Sequence, residues 1–220
     1  MHDGARSEPV LAAYGITTEG NPVFLHLDGV SAESTDACVA FLEDMVARGL
    51  SSPVLTISDG APGLCTALDQ VFPHARRQRC LIHRAWNTIA KVSEIDQAAV
   101  RGDYWEIFDI GDEHAPGDAA VAEARRRARQ FEATWGKTYP GAVDGVTDTL
   151  DELVAHLHYP RAHWQRVRHS NLISVNRPEG RGPVEVAPGR ERAGAHSLET
   201  AEVGPDGSVV GGEVGRRLAA

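Results

Sequence analysis

Asp59 closes a short apolar run, Pro53-Val54-Leu55-Thr56-Ile57-Ser58, and Gly60-Ala61-Pro62-Gly63-Leu64 turns the chain straight into a helix. A strand that stops at an acid sets that carboxylate on the C-terminal rim of a sheet. There α/β folds gather their ligands, and the carboxylate is well placed to hold a divalent cation. One carboxylate binds Mg2+ weakly and needs a second acid or a phosphate beside it. Taken alone, Asp59 is equally the cap of the helix that follows.

The second chemically dense stretch is Arg76-Arg77-Gln78-Arg79-Cys80-Leu81-Ile82-His83-Arg84. Guanidinium groups match phosphate bidentately, so these arginines suit a phosphate clamp; the plain alternative is an edge strand blunted by charge. Cys80-x-x-His83 can bring a thiolate and an imidazole to one metal ion, but two ligands do not complete a structural zinc site. It also reads as a buried cysteine beside a locally bonded histidine, or as a nucleophile pair with no identifiable oxyanion element. His156, His158, His163 and His169 are spaced irregularly around Pro160 and do not form a metal-ligand pattern. Arg125-Arg126-Arg127 and Arg129, with Glu123 and Glu132 nearby, read as a solvated helix face, and Trp105 and Trp135 as core.

The elements that must position these groups follow from pattern. Pro9 to Thr17 and Asn21 to Asp28 are β-prone runs joined by Thr18-Glu19-Gly20, a hairpin in which Val23, Leu25 and Leu27 alternate with Phe24, His26 and Asp28. Ser34-Thr35-Asp36 caps a helix carrying Cys38, Phe41, Leu42 and Met45 on one face and ending at Gly49. Behind Asp59 a helix runs from Pro62 to Phe72 with Leu64, Leu68, Val71 and Phe72 inward. A short strand then covers Arg76 to Cys80, and a helix Leu81 to Val92. From Asp96 to Leu157 the pattern is all helical, with one segment at Ala119 to Trp135 and another at Val143 to Leu157, striped by Val146, Leu150, Leu153 and Leu157. Residues 175–220 contain no aromatic residue and no lysine, and they mix Gly, Arg, Glu, Val and Pro without period. Such a stretch cannot bury enough apolar surface to offset its chain entropy, so a disordered tail is expected.

Length and composition bound the reading. The chain has 220 residues, 42% of them hydrophobic and 24% charged, enough to bury a core as one large domain or one domain with appendages. A net charge of −9 argues against wholesale nucleic-acid binding, although clustered arginines leave room for a local basic face. Three cysteines without close spacing fit a reducing compartment. No leader-like or membrane-length apolar run is present in the sequence, so a cytoplasmic protein without membrane contact is expected.

The order of the pieces is also informative. Val10-Leu11-Ala12-Ala13-Tyr14-Gly15-Ile16-Thr17 comes first, then Phe41-Leu42-Glu43-Asp44-Met45 with Arg48-Gly49-Leu50, and Ser58-Asp59-Gly60-Ala61-Pro62-Gly63-Leu64. Val71-Phe72-Pro73, Arg77-Gln78-Arg79-Cys80-Leu81-Ile82-His83-Arg84, Asn87, Ala90-Lys91-Val92, Tyr139-Pro140 and Ser170-Asn171-Leu172 follow. Over residues 4–173 this series resembles the Mutator-like transposases of bacterial insertion sequences. The resemblance implies an α/β fold of RNase H-like type: a mixed sheet with flanking helices, and a helical insertion before the final catalytic helix. It also implies two aspartates and a glutamate holding two Mg2+ ions, which activate water or a DNA 3′-hydroxyl for in-line attack on a phosphodiester.

By that resemblance Asp59 is the second aspartate, catalytic and metal-binding. Arg77, Arg79 and Arg84 are expected at DNA phosphates. Cys80 and His83 match the family's Cys-x-x-His element, and with Asn171 they are expected to be structural or DNA-positioning. The first aspartate belongs to a strand ahead of the hairpin, before Met1, and Asp3 falls in the connecting turn. Ser174 stands where the glutamate belongs, three residues after Asn171. The expected division is therefore a partial catalytic core at 1–93 that lacks its first strand, a helical insertion at 94–160, the start of the final core segment at 161–174, and a tail at 175–220. A frameshift near Ser174 is predicted to have produced that tail, so the neighbouring frame should encode an acidic and basic helical continuation. Without the first strand, the Pro9 to Thr17 strand is expected to keep an unpaired edge. The expected function is DNA transposition in descent but impaired in catalysis, with transposon-end DNA and further copies or intact transposase as partners. The alternatives are a non-catalytic DNA-binding or transposase-associating remnant, or a Cys80/His83 hydrolase.

Overall fold

A computed structural model describes residues 10–16, 22–30, 34–170, 195–203 and 209–210. The hairpin strands are β1 (Val10–Ile16) and β2 (Pro22–Gly29), antiparallel as their alternation predicts; the turn between them lies outside the described residues. The register shifts between Ala13 and Tyr14, which pair with His26 and Phe24 and so skip Leu25. This bulge changes which side chains face inward. His26 turns to the first helix and stacks on Phe41 at 4.7 Å, whereas Leu27, which alternates with it in sequence, is 57% exposed.

Helix α1 (Thr35–Ala47) starts where Ser34 accepts a hydrogen bond from the Ala37 N–H at 3.2 Å, the cap its sequence promised. It buries Cys38, Phe41, Leu42 and Met45 in a cluster with Leu11, Ala13 and Leu25 of the hairpin and with Leu64, Ala67 and Leu68 of α2 (Pro62–Val71). Strand β3 (Leu55–Ser58) lies between α1 and α2 in sequence and is buried at all four positions. Leu55 and Ile57 pack with Ile16 against Ala155, Tyr159 and Val167. Strand β4 (Arg76–Arg79) runs parallel to β3 at the sheet edge.

The remaining helices build a separate body. Helices α3 (Leu81–Ile89), α4 (Gln97–Glu106), α5 (Asp118–Trp135), α6 (Pro140–Thr147) and α7 (Leu150–Leu153) share one apolar cluster that includes Val100, Tyr104, Phe131, Val146 and Leu157. The single helix expected over Val143 to Leu157 is divided into α6, α7 and a 3-10 turn at Ala155–His158. Thr147 and Thr149 bend the chain there, their hydroxyls donating to the Val143 and Gly145 carbonyls in competition with helix continuation. A second 3-10 turn at Arg161–His163 leads into α8 (Trp164–Val167).

Gln78 joins the two halves. It is 1% exposed, donates to the Leu153 carbonyl at 3.0 Å and accepts from the His156 N–H at 2.7 Å. At Gln78 the edge strand β4 is thus a polar clamp, while Arg76 stays exposed.

The tail departs from expectation. Strands β5 (Ala195–Val203) and β6 (Val209–Val210) lie within the stretch expected to be disordered, and β5 enters the sheet, giving the order β2-β1-β5-β3-β4. It runs parallel to β1, with Val10 opposite Ala195, and antiparallel to β3, with Leu55 opposite Ala201. β1 therefore has a neighbour on the side expected to be bare. The physical reason is that ladder bonds use main-chain groups, which a sequence without aromatic residues supplies as well as any other. Among the described residues no helix is long and apolar enough to cross a membrane.

Candidate active-site rim

Asp59 follows β3 directly and lies at the sheet rim ahead of α2. Its Oδ1 accepts a hydrogen bond from the Ala61 N–H at 3.0 Å, an Asx-type turn that steers the chain into the helix, where Pro62 supplies the first position. The carboxylate shapes the turn without capping α2, whose N-cap position is Ala61 and carries no side-chain cap bond. Gly60 has φ +86°, and a Cβ there would meet the Arg79 Nη2 at 1.9 Å. Only glycine meets both demands at this turn.

That closeness comes from Arg79 arching back over the turn. Its Nη2 donates to the Gly60 carbonyl at 2.6 Å and its Nε to the Asp59 carbonyl at 3.5 Å, while Nη1 is 3.7 Å from Glu152 of α7. The three arginines expected at phosphates are therefore sorted. Arg77 is carried to α2, where it pairs with Asp69 and donates to the Cys65 carbonyl at 3.3 Å. Arg79 stays at the rim. Arg84 lies half-buried against α6, its Nη1 3.1 Å from where a Gly145 Cβ would stand. Burial, and next the charge of Arg79, push the Arg84 guanidinium below its usual range, so these two cations share one region.

Cys80 and His83 occupy the corner between β4 and α3. Cys80 is wholly buried, and its Sγ accepts the Ser170 N–H at 3.3 Å. Burial pushes this thiol up, but hydrogen bonds from the His83 side chain and N–H and from Ser170 outweigh it and bring it down to about 7. The His83 ring meets Trp86 edge-on at 5.2 Å, and Trp86 is 51% exposed. Asn171 and Ser174 lie outside the described residues.

The described acids at the rim do not converge as ligands for a pair of Mg2+ ions. Among the described residues no group of three His, Cys, Asp or Glu side chains converges as metal ligands, and one Asp59 oxygen already accepts a main-chain N–H beside the Arg79 guanidinium. His156 is used otherwise: buried at Gln78, its imidazole is pushed down to about 3 by burial and then by Arg168. Sequence reasoning missed Gln78 and Glu152, whose partners are 75 and 73 residues away. It also missed the link between Cys80 and Ser170, 90 residues apart, for which no short-range pattern exists.

Comparison with known proteins adds to this geometry. The family model described as "Transposase, Mutator family" matches residues 2–181. The transposase for insertion sequence element IS6120 of Mycolicibacterium smegmatis is 31% identical over 164 residues, 74% of this chain and 48% of its own length. The transposase for IST2 of Acidithiobacillus ferrooxidans is 29% identical over 74% of this chain and 53% of its own. That for IS1201 of Lactobacillus helveticus is 29% identical over 76% of this chain and 43% of its own. The chain spans about half the length of these curated relatives.

Proposed function

The chain belongs to the Mutator family of transposases, and from that premise we propose that it is core material of an insertion-element transposase, descended from a DDE-type enzyme but impaired in catalysis. The observation that carries this reading is Asp59 at the end of β3, inside the matched region, with Arg79 and Arg84 grouped on the same side. A hairpin followed by a parallel β3–β4 pair with interleaved helices supports an RNase H-like reading of the sheet.

In such an enzyme a bound pair of Mg2+ ions would activate water or a DNA 3′-hydroxyl and offset charge on the phosphodiester. The residues described here do not make up the acids that two hard cations need, so the expected turnover is near zero. What this chain's residues do is more limited. Asp59 fixes the β3–α2 turn and presents a carboxylate at the rim, Arg79 braces that turn, and Arg84 stands in the same region, with Glu152 as a counter-charge. DNA, further copies and intact transposase are the proposed partners.

The test is nicking and strand transfer on linear duplex with Mg2+ or Mn2+, comparing the chain with Asp59→Ala. Equal, near-zero rates are expected; robust cleavage that disappears with Asp59 would overturn the impairment. The Arg79–Arg84 grouping favours a second reading, a remnant that binds DNA without cutting it. Labelled duplex titrated at low and high salt separates such a binding remnant from an inert one, since phosphate contacts weaken steeply as salt rises.

A further inference from the structure

Three hydrogen bonds converge on the corner between β4 and α3. The Cys80 N–H donates to the Ser58 carbonyl at 2.8 Å, which ties the corner to the residue just before Asp59. The Leu81 N–H, one of the α3 donors with no partner inside the helix, reaches the Arg168 carbonyl at 3.0 Å. The Ser170 N–H donates to the Cys80 sulfur at 3.3 Å. Residues 168–170 follow α8 directly, so the chain leaving the helical body is pinned at two consecutive points to the element that also holds the end of β3. The Arg168 side chain anchors the other side, its guanidinium 5.9 Å from the centre of the Trp105 ring.

Neither contact is explained by packing of the sulfur alone. A cysteine filling a core gap needs only apolar neighbours. Cys80 instead stands just before α3 without capping it, and its sulfur takes an amide from the far end of the helical body.

We propose that Cys80 is a positioning residue: its sulfur holds the Ser170 amide and thereby fixes the segment leaving α8 against the rim that carries Asp59. The importance of that placement for DNA chemistry rests on the transposase reading; the latch itself does not. Because 168–170 is ninety residues from Cys80 in sequence, the contact sets the relative position of the two ends of the helical body.

Hydrogen exchange of the full chain tests it, with the Ser170 and Leu81 amides as reporters. Cys80→Ala is expected to speed Ser170 exchange on the order of tenfold, the loss of about one net hydrogen bond, while α5 amides keep their protection. Cys80→Ser, which keeps an acceptor at nearly the same place, is expected to restore most of that protection. Unchanged exchange at Ser170 in Cys80→Ala would overturn the proposal. So would equal acceleration in the alanine and serine variants, or acceleration spread evenly through α5, since each marks a residue that only fills space. No DNA enters this measurement, so absent cleavage by the unaltered chain counts against the transposase reading alone.

Discussion

The helical body and the sheet close their cores in different ways. In the body, α3 to α7 converge on Tyr104, Val146, Leu153 and Leu157 from one stretch of chain, 81–164. In the sheet, the hairpin and the β3–β4 pair touch through no shared ladder; β5, from the far end of the chain, lies between them. Local sequence therefore completes one half, while the other depends on a strand recruited by main-chain pairing. Cooperativity should differ accordingly, with the sheet able to loosen while the body stays folded.

The strongest way to break this contrast is Tyr104→Ala. Tyr104 is wholly buried, and its hydroxyl donates to the Leu81 carbonyl at 2.8 Å. Its loss should cost about 4 kcal/mol of global stability through cavity and lost hydrogen bond, read as a drop in the urea midpoint. Next comes Thr200→Pro, at a β5 position that pairs with both Gly15 and Thr56. Proline in a ladder flanked on both sides should cost about 3 kcal/mol, confined to the sheet: β1 amides should lose exchange protection while α5 amides keep theirs. Equal loss in both halves would show that the two close as one unit.

The smallest effect lies at the seam. His156 is held neutral by burial, its imidazole pushed down to about 3 from an ordinary value of 6.5. The unfolded chain takes up the proton first, so the stability contribution is whole above pH 6.5 and shrinks as pH falls toward 3, by about 1.4 kcal/mol per pH unit at most. Between pH 7 and 5 the unaltered chain should therefore lose about 2 kcal/mol more than His156→Gln, measured by denaturant titration at each pH.

Much of the rim was legible because its causes are local. A β-prone run ending in Asp-Gly before Ala-Pro announces the strand, the turn and the helix start, and Ser34 announces its cap. What escaped had causes elsewhere in the chain. The bulge that turns His26 rather than Leu27 inward is set by pairing with β1. Arg77 and Arg79 look alike in sequence, yet Asp69 claims one and the Gly60 carbonyl the other. β5 was missed because composition measures what side chains can bury, whereas its place depends on the open edges of β1 and β3.

The space above Gly60 has one more consequence. Any side chain at that position must displace the Arg79 guanidinium, because the two cannot occupy the same volume. An alanine at 60 would thus act as a release lever, freeing an existing cation from the Gly60 and Asp59 carbonyls and leaving the β3–α2 turn without its brace.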